Sequence, residues 1–143
     1  MTPLDPVLLQ RLHDAARAAR ERAYAPYSRF AVGAALLDEH GAIHAGCNVE
    51  NAAYPQGVCA EAGAISALVL AGAREVKAVL VLGEAGALRP VTPCGGCRQK
   101  LREFAADSTP VIMASSGAVV LGTTLGALLP HSFGPEHLNE DSA

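Results

Sequence analysis

A chain of 143 residues with a formal net charge of −3 has room for one hydrophobic core and not for two. Half of its residues are hydrophobic and 17% are charged, a balance that excludes disorder and predicts one globular domain over residues 1–143. The densest cationic stretch, Arg11 to Arg22, is interleaved with Asp14 and Glu21 at helical spacing, which reads as a solvated helix face and disfavours a nucleic-acid partner.

The opening Met1-Thr2-Pro3-Leu4-Asp5-Pro6 has neither the basic start nor the apolar segment of a secretory signal, so a cytoplasmic protein with reduced thiols is expected. Asp5 before Pro6 is a helix start. Leu8, Leu12, Ala15, Ala16, Ala19 and Ala23 then recur every three or four residues, predicting a helix to about Tyr24. Ala25-Pro26-Tyr27-Ser28 breaks it, and Ala31 to Leu37 reads as a buried strand. Asp38-Glu39-His40-Gly41 turns the chain into a second strand, Ala42 to Asn48, closing a hairpin. A loop from Val49 to Gly57 leads to Cys59, where a helix of good formers begins and ends at Gly72.

Val76 to Leu82 is a strongly apolar strand, Gly83 to Thr92 a loop, and Cys94 to Phe104 a short helix. Ser108 to Pro135 contains no Asp, Glu, Lys or Arg. Ser115-Ser116-Gly117 divides it, so two buried strands, Val111 to Ala114 and Ala118 to Thr123, explain it better than a membrane span of about 20 apolar residues. A helical turn near Leu125 to Leu129 and a tail from Pro130 complete the chain. The strand–helix–strand from Val76 to Ala114 is a right-handed crossover. With the hairpin it gives a three-layer α/β/α fold around a mixed five-stranded sheet. Trp is absent and aromatic residues are 4%, so small side chains fill the interior and apolar surface is left for burial between subunits.

The chemistry is concentrated in two stretches, Val58-Cys59-Ala60-Glu61-Ala62 and Thr92-Pro93-Cys94-Gly95-Gly96-Cys97-Arg98. A spacing of three puts Cys94 and Cys97 on one helix face, able to share one ion. All three cysteines fall at helix starts, where free N–H groups and the dipole favour thiolates. Catalytic zinc keeps three protein ligands and an open position, structural zinc four. Cys59, Cys94 and Cys97 fit the first pattern, with Glu61 placed as an acid/base beside the metal. Cys47 would close the shell as a fourth thiolate, but it belongs to a strand and reads as a buried free cysteine.

Around these residues, Pro26-Tyr27-Ser28-Arg29-Phe30-Ala31-Val32-Gly33-Ala34-Ala35-Leu36, Gly46-Cys47-Asn48-Val49-Glu50-Asn51-Ala52-Ala53-Tyr54-Pro55 and Leu128-Leu129-Pro130-His131-Ser132-Phe133-Gly134-Pro135-Glu136 resemble the signatures of the small homotetrameric zinc-dependent cytidine deaminases. The resemblance runs from about Tyr24 to Leu138 and implies that fold and a zinc ion (Zn2+) on Cys59, Cys94 and Cys97. It implies hydrolysis of cytidine and 2′-deoxycytidine to uridine and 2′-deoxyuridine, a step of pyrimidine salvage, with Glu61 protonating ring N3 and helping ammonia leave. It further implies that Asn48 and Glu50 bind the ribose 3′-hydroxyl, that the Ala60 backbone and Phe30 meet the base, and that Tyr54 and Phe133 complete a neighbouring subunit's pocket.

One position departs from the family pattern. The residue after the acid is Ala62, where the family commonly carries an arginine that hydrogen-bonds the ligand sulfurs. Helix-terminal N–H groups and Arg98 are the expected compensation. Two other readings stand beside a cytidine deaminase: a deaminase of a modified aminopyrimidine nucleoside, resembling the blasticidin S deaminases, and a non-catalytic zinc-stapled binding domain. The first calls for a substrate panel. The second requires four protein ligands and a silent Glu61→Gln.

Overall fold

The computed structural model describes residues 4–84 and 89–139. Part of the expected Gly83 to Thr92 loop and the end of the tail lie outside the described residues.

Helix α1 (Pro6–Arg20) starts where the Asp5 side chain accepts the Val7 N–H, satisfying one of the donors a helix leaves open at its start. It ends four residues before Tyr24, because the Tyr24 N–H is taken by Asn48 O and the chain has begun to pair with the loop beyond β2. Strands β1 (Gly33–Asp38) and β2 (Ile43–Cys47) form the hairpin, followed by a 3₁₀ turn, Tyr54–Gln56. Helix α2 (Ala60–Leu70) stops with Gly72 at φ 97°, the Gly72 and Ala73 N–H groups closing on Val69 O and Leu68 O, a left-handed cap that glycine adopts without steric cost. Strand β3 (Val76–Leu82), helix α3 (Gly95–Arg102), strands β4 (Pro110–Ala114) and β5 (Val119–Thr124), helix α4 (Leu125–Leu128) and a 3₁₀ turn, Pro135–His137, follow.

The sheet order is β2-β1-β3-β4-β5, with β3 and β4 parallel and the other neighbours antiparallel. Strand alternation sends Ala35, Ala78, Leu80, Leu82 and Ile112 to one face, against Leu12 and Ala16 of α1. It sends Ala34, Leu36, Val79, Val81, Val111 and Met113 to the other, against Ala60, Ala64 and Leu68 of α2 and Leu101 of α3. The result is the three-layer α/β/α arrangement. Among the described residues no helix is long and apolar enough to cross a membrane.

Two expectations change. Strand β4 is buried, but β5 is an edge strand with Val119, Val120 and Leu121 largely exposed. Absence of charge marks it as interior, yet a strand at the sheet edge with one neighbour stays largely uncovered. Cys47, expected buried, is half-buried at the end of β2.

Helix α2 sits on β2 at very short range. A Cβ on Gly46 would lie 2.4 Å from both Ala60 O and Ala64 N, main-chain atoms that cannot move aside alone. Gly46→Ala therefore pushes α2 off the sheet and costs about 1–3 kcal/mol. Thermal unfolding checks this against Gly117→Ala, whose Cβ meets nothing within 4 Å and whose midpoint stays at the native value.

Asp38 is 4% exposed and accepts His44 Nε2 at 2.7 Å, the His40 N–H at 2.7 Å and the Ala42 N–H at 2.9 Å. The His44 contact, followed by the two backbone donors, holds its pKa below the ordinary 3.8. A carboxylate lowered in the folded state stabilises the fold above its unfolded pKa, and that contribution disappears as pH falls through the folded value. Asp38→Asn should lower the melting temperature at pH 7 and flatten its fall below about pH 4, as read by thermal unfolding across pH.

Candidate metal and nucleoside site

The two sequence stretches meet at the ends of α2 and α3. Cys59 is the N-cap of α2, Cys94 the N-cap of α3, and Cys97 lies one turn into α3. Their three Sγ atoms all lie within 4.8 Å of one another, and among the described residues no fourth His, Cys, Asp or Glu joins the group. Cys47 is thus outside it. Three converging sulfurs with no fourth protein donor fit a zinc ion that keeps a position open. Cys59 and Cys94 are exposed and Cys97 is buried, so the group opens on one side.

The environment treats the three thiols differently. Burial pushes Cys97 strongly upward, and the nearby Glu61 adds to this. Burial also raises Cys59. Cys94 is held below the ordinary thiol range, chiefly by the Cys97 backbone N–H at its sulfur, a donor exposed by the start of α3. A dication would draw all three into the thiolate form. Glu61, 4% exposed in the first turn of α2, is raised mainly by burial, with Cys97 and Lys100 pulling it back. Arg98 is not aimed at the sulfurs: its Nε donates to Pro93 O at 2.7 Å and its Nη1 to Leu128 O at 2.8 Å. It ties the segment before Cys94 to α4.

A cleft of about 320 Å³ opens onto the group, at the small-ligand end of the usual range of about 300–1,000 Å³. Phe30, Asn48, Glu50, Cys59, Ala60, Glu61 and Cys94 line it, so most of the sequence-derived candidates share one space. Cys97 lies beneath, Tyr54 stands in an adjoining cleft with Tyr27, Ser28, Glu50, Asn51 and Gly57, and Phe133 lies apart on the tail. The Phe133 ring stacks on His137 at 5.0 Å, and its carbonyl accepts Gln99 Nε2 at 2.9 Å.

Asn48 and Glu50 are more engaged than expected. Asn48 Oδ1 accepts the Val32 N–H at 2.8 Å, and its Nδ2 donates to Phe30 O at 2.8 Å. Glu50 Oε1 accepts the Tyr27 and Ser28 N–H groups at 2.9 and 3.1 Å, and its Oε2 accepts the Ser28 hydroxyl. The Ser28 hydrogen bonds come first among the influences holding Glu50 below the ordinary carboxylate range. Val81, Val91 and Thr92 also line the cleft. Their residue types signal only strand and loop, so sequence reasoning had nothing by which to single them out.

Comparison with known proteins agrees with this geometry. Residues 7–113 match the family described as the cytidine and deoxycytidylate deaminase zinc-binding region. The chain is 44% identical over 131 residues to a protein named cytidine deaminase from Sporosarcina psychrophila, covering 92% of this chain and 95% of that one. The crystal structure of cytidine deaminase from Burkholderia pseudomallei superposes with a TM-score of 0.80 at 44% identity, over 87% of this chain and 98% of that one. That from Mycobacterium tuberculosis gives 0.76 at 37% identity, over 92% and 99%. The chain therefore belongs to the cytidine and deoxycytidylate deaminase family, whose zinc its three-cysteine group is placed to hold.

Proposed function

We propose that this protein hydrolyses cytidine and 2′-deoxycytidine to uridine and 2′-deoxyuridine with release of ammonia, a reaction of pyrimidine salvage. One observation carries the reading. A buried acid and three converging sulfurs end a nucleoside-sized cleft whose outer wall holds a fixed carboxylate, Glu50. The relatives named cytidine deaminase, 40–44% identical over most of the chain, support it.

In this reading Cys59, Cys94 and Cys97 hold zinc, which supplies Lewis acidity and a water of lowered pKa. Glu61 is the acid/base. Burial raises its pKa toward the working pH, which suits a group that must take and return protons. It takes a proton from the attacking water and gives it to ring N3 as the new C4–O bond forms, then moves that water's second proton to the 4-amino group, so the C4–N bond breaks and ammonia leaves. The Ala60 N–H and the Phe30 ring hold the base. Glu50, with Asn48 behind it, accepts the ribose 3′-hydroxyl. A substrate lacking that hydroxyl leaves the remaining acceptor position of Glu50 unfilled, which is how such a site discriminates.

The same reading covers residues 1–143 as one cytoplasmic domain assembled as a homotetramer. Tyr54 and Phe133 are 77% and 55% exposed, large apolar surfaces suited to completing a neighbouring subunit's pocket. Four unpaired cysteines support a reducing compartment.

Purified protein given cytidine should release ammonia and contain one zinc per chain, measured in the same sample. Glu61→Gln should keep the metal and lose about 10²–10⁴-fold in kcat. Cys47→Ala should leave both zinc content and turnover at native values. Zinc lost with Cys47→Ala, or native turnover by Glu61→Gln, would overturn the assignment. Faster turnover of a modified aminopyrimidine nucleoside than of cytidine would move the substrate class. Sedimentation of the zinc-loaded protein checks the tetramer.

A further inference from the structure

Between Ala25 and Val32 the chain crosses the mouth of the cleft without regular secondary structure. Arg29 takes a φ of 60°, a left-handed conformation that a long side chain keeps only where its surroundings enforce it. Side chains from the segment beyond β2 do the enforcing. The Asn48 amide takes the Phe30 carbonyl and the Val32 N–H, 2.8 Å each. On the other side Ser28 Oγ accepts the Phe30 N–H at 3.0 Å and donates to Glu50 Oε2. Phe30 is thus gripped at both its N–H and its C=O. Ser28 is the residue whose side chain touches both the Phe30 backbone and the Glu50 carboxylate. Ser28 and Glu50 also form the wall shared by the two neighbouring clefts.

The acceptor count gives this arrangement a direction. An ionised carboxylate offers about four lone-pair sites. Tyr27 N–H, Ser28 N–H and Ser28 O–H occupy three. One acceptor position is left for a ligand hydroxyl, on Oε2, the oxygen whose orientation the serine hydroxyl sets. Two backbone N–H groups hold Oε1, and without the serine hydroxyl the rotation that places Oε2 would be free at the cleft mouth, at an entropic cost to each binding event.

We propose that Ser28 is the positioning residue for sugar recognition: its hydroxyl orients Glu50 toward the ribose and ties that orientation to the backbone of Phe30 on the base side. The proposal rests on the reading of Glu50 as the acceptor of the ribose 3′-hydroxyl. A hydrogen bond to a charged group contributes about 1.5–3 kcal/mol, or about 10- to 150-fold in binding. Ser28 acts through Glu50, which is not one of the three sulfur ligands, so its loss should fall on KM and not on kcat.

The experiment compares cytidine with 3′-deoxycytidine on the zinc-loaded enzyme and its Ser28→Ala, Ser28→Thr and Glu50→Ala variants. Ser28→Ala should raise KM for cytidine at least about tenfold, the lower bound for a hydrogen bond to a charge, with kcat within about threefold of native. On 3′-deoxycytidine, which has no hydroxyl for Glu50 to accept, the loss in kcat/KM should shrink to under about threefold. Ser28→Thr, which keeps the hydroxyl, should restore the KM for cytidine. The ratio between two substrates on one sample does not depend on how much of a variant is folded, so partial misfolding cannot imitate the result. Equal losses of Ser28→Ala on both nucleosides, a loss confined to kcat, or a threonine variant as impaired as the alanine one would overturn the proposal. Should Glu50→Ala lose equally on both nucleosides, the sugar reading of Glu50 fails and this role for Ser28 fails with it. Should Glu50→Ala discriminate while Ser28→Ala does not, only the role of Ser28 falls.

Discussion

The contact between Gly46 and the first turn of α2 decides where everything else in the site can be. With no side chain on β2 at that point, main chain meets main chain, and the start of α2 is bedded directly on the sheet. Gly63 continues the fit, its own missing Cβ lying 3.7 Å from Gly46 Cα. Cys59 caps this turn and Glu61 lies within it, so both are fixed relative to β2 before α3 is considered. Helix α3 then carries Cys94 and Cys97 to the same place because β3 and β4 are parallel and their crossover must return over the same face. A catalytic arrangement needs tolerances of about 0.5 Å, and packing of this closeness supplies them more reliably than a flexible spacer could.

The electrostatics of the metal group follow from the same helix starts. Three thiolates around a dication leave one net negative charge, and Glu61 adds a second. Ala62 contributes nothing to offset them, and Arg98 is committed to carbonyls at Pro93 and Leu128. What the structure offers is the exposed N–H groups of two helix N-termini, already visible in the effect of the Cys97 N–H on Cys94, together with Lys100, whose positive charge acts on Glu61. Fixed dipoles at short range act in a partly dry site, where they outweigh an exposed cation. Donors that hydrogen-bond the ligand sulfurs tune the affinity and reactivity of a zinc site.

The outer part of the cleft is built differently. There the chain is loop on both sides, and side chains hold main chain in place: Asn48 the backbone of Phe30 and Val32, Glu50 the turn at Tyr27 and Ser28. Residues that resemble substrate contacts in the sequence are at the same time the scaffold of the opposing loop. A polar network in which every member is satisfied can order irregular backbone that has no ladder or helix to order it. Among the described buried side-chain polar atoms none lacks a partner.

Most of the architecture could be read from residue pattern alone. Leu8, Leu12 and Ala16 at helical spacing, the apolar run of Val76–Leu82, and Gly72 as a cap all specify local structure through local preferences, and each element formed, with α1 four residues shorter than its spacing predicts. The three-sulfur group was legible too, because Cys59, Cys94 and Cys97 carry chemistry in their placement at two helix starts. What the sequence could not contain was any quantity that depends on two distant segments meeting. It did not disclose that β5, free of charge, would lie uncovered at the edge, since burial depends on what packs above a strand. It pointed to Arg98 as a partner for sulfur, while tertiary folding brought the carbonyl of Leu128 within its reach. It showed Ser28 as one polar residue in a turn, and only the approach of the Glu50 loop gave its hydroxyl two partners. Local sequence fixes torsions and periodicity, whereas the partner of a side chain is settled by chain crossings tens of residues apart.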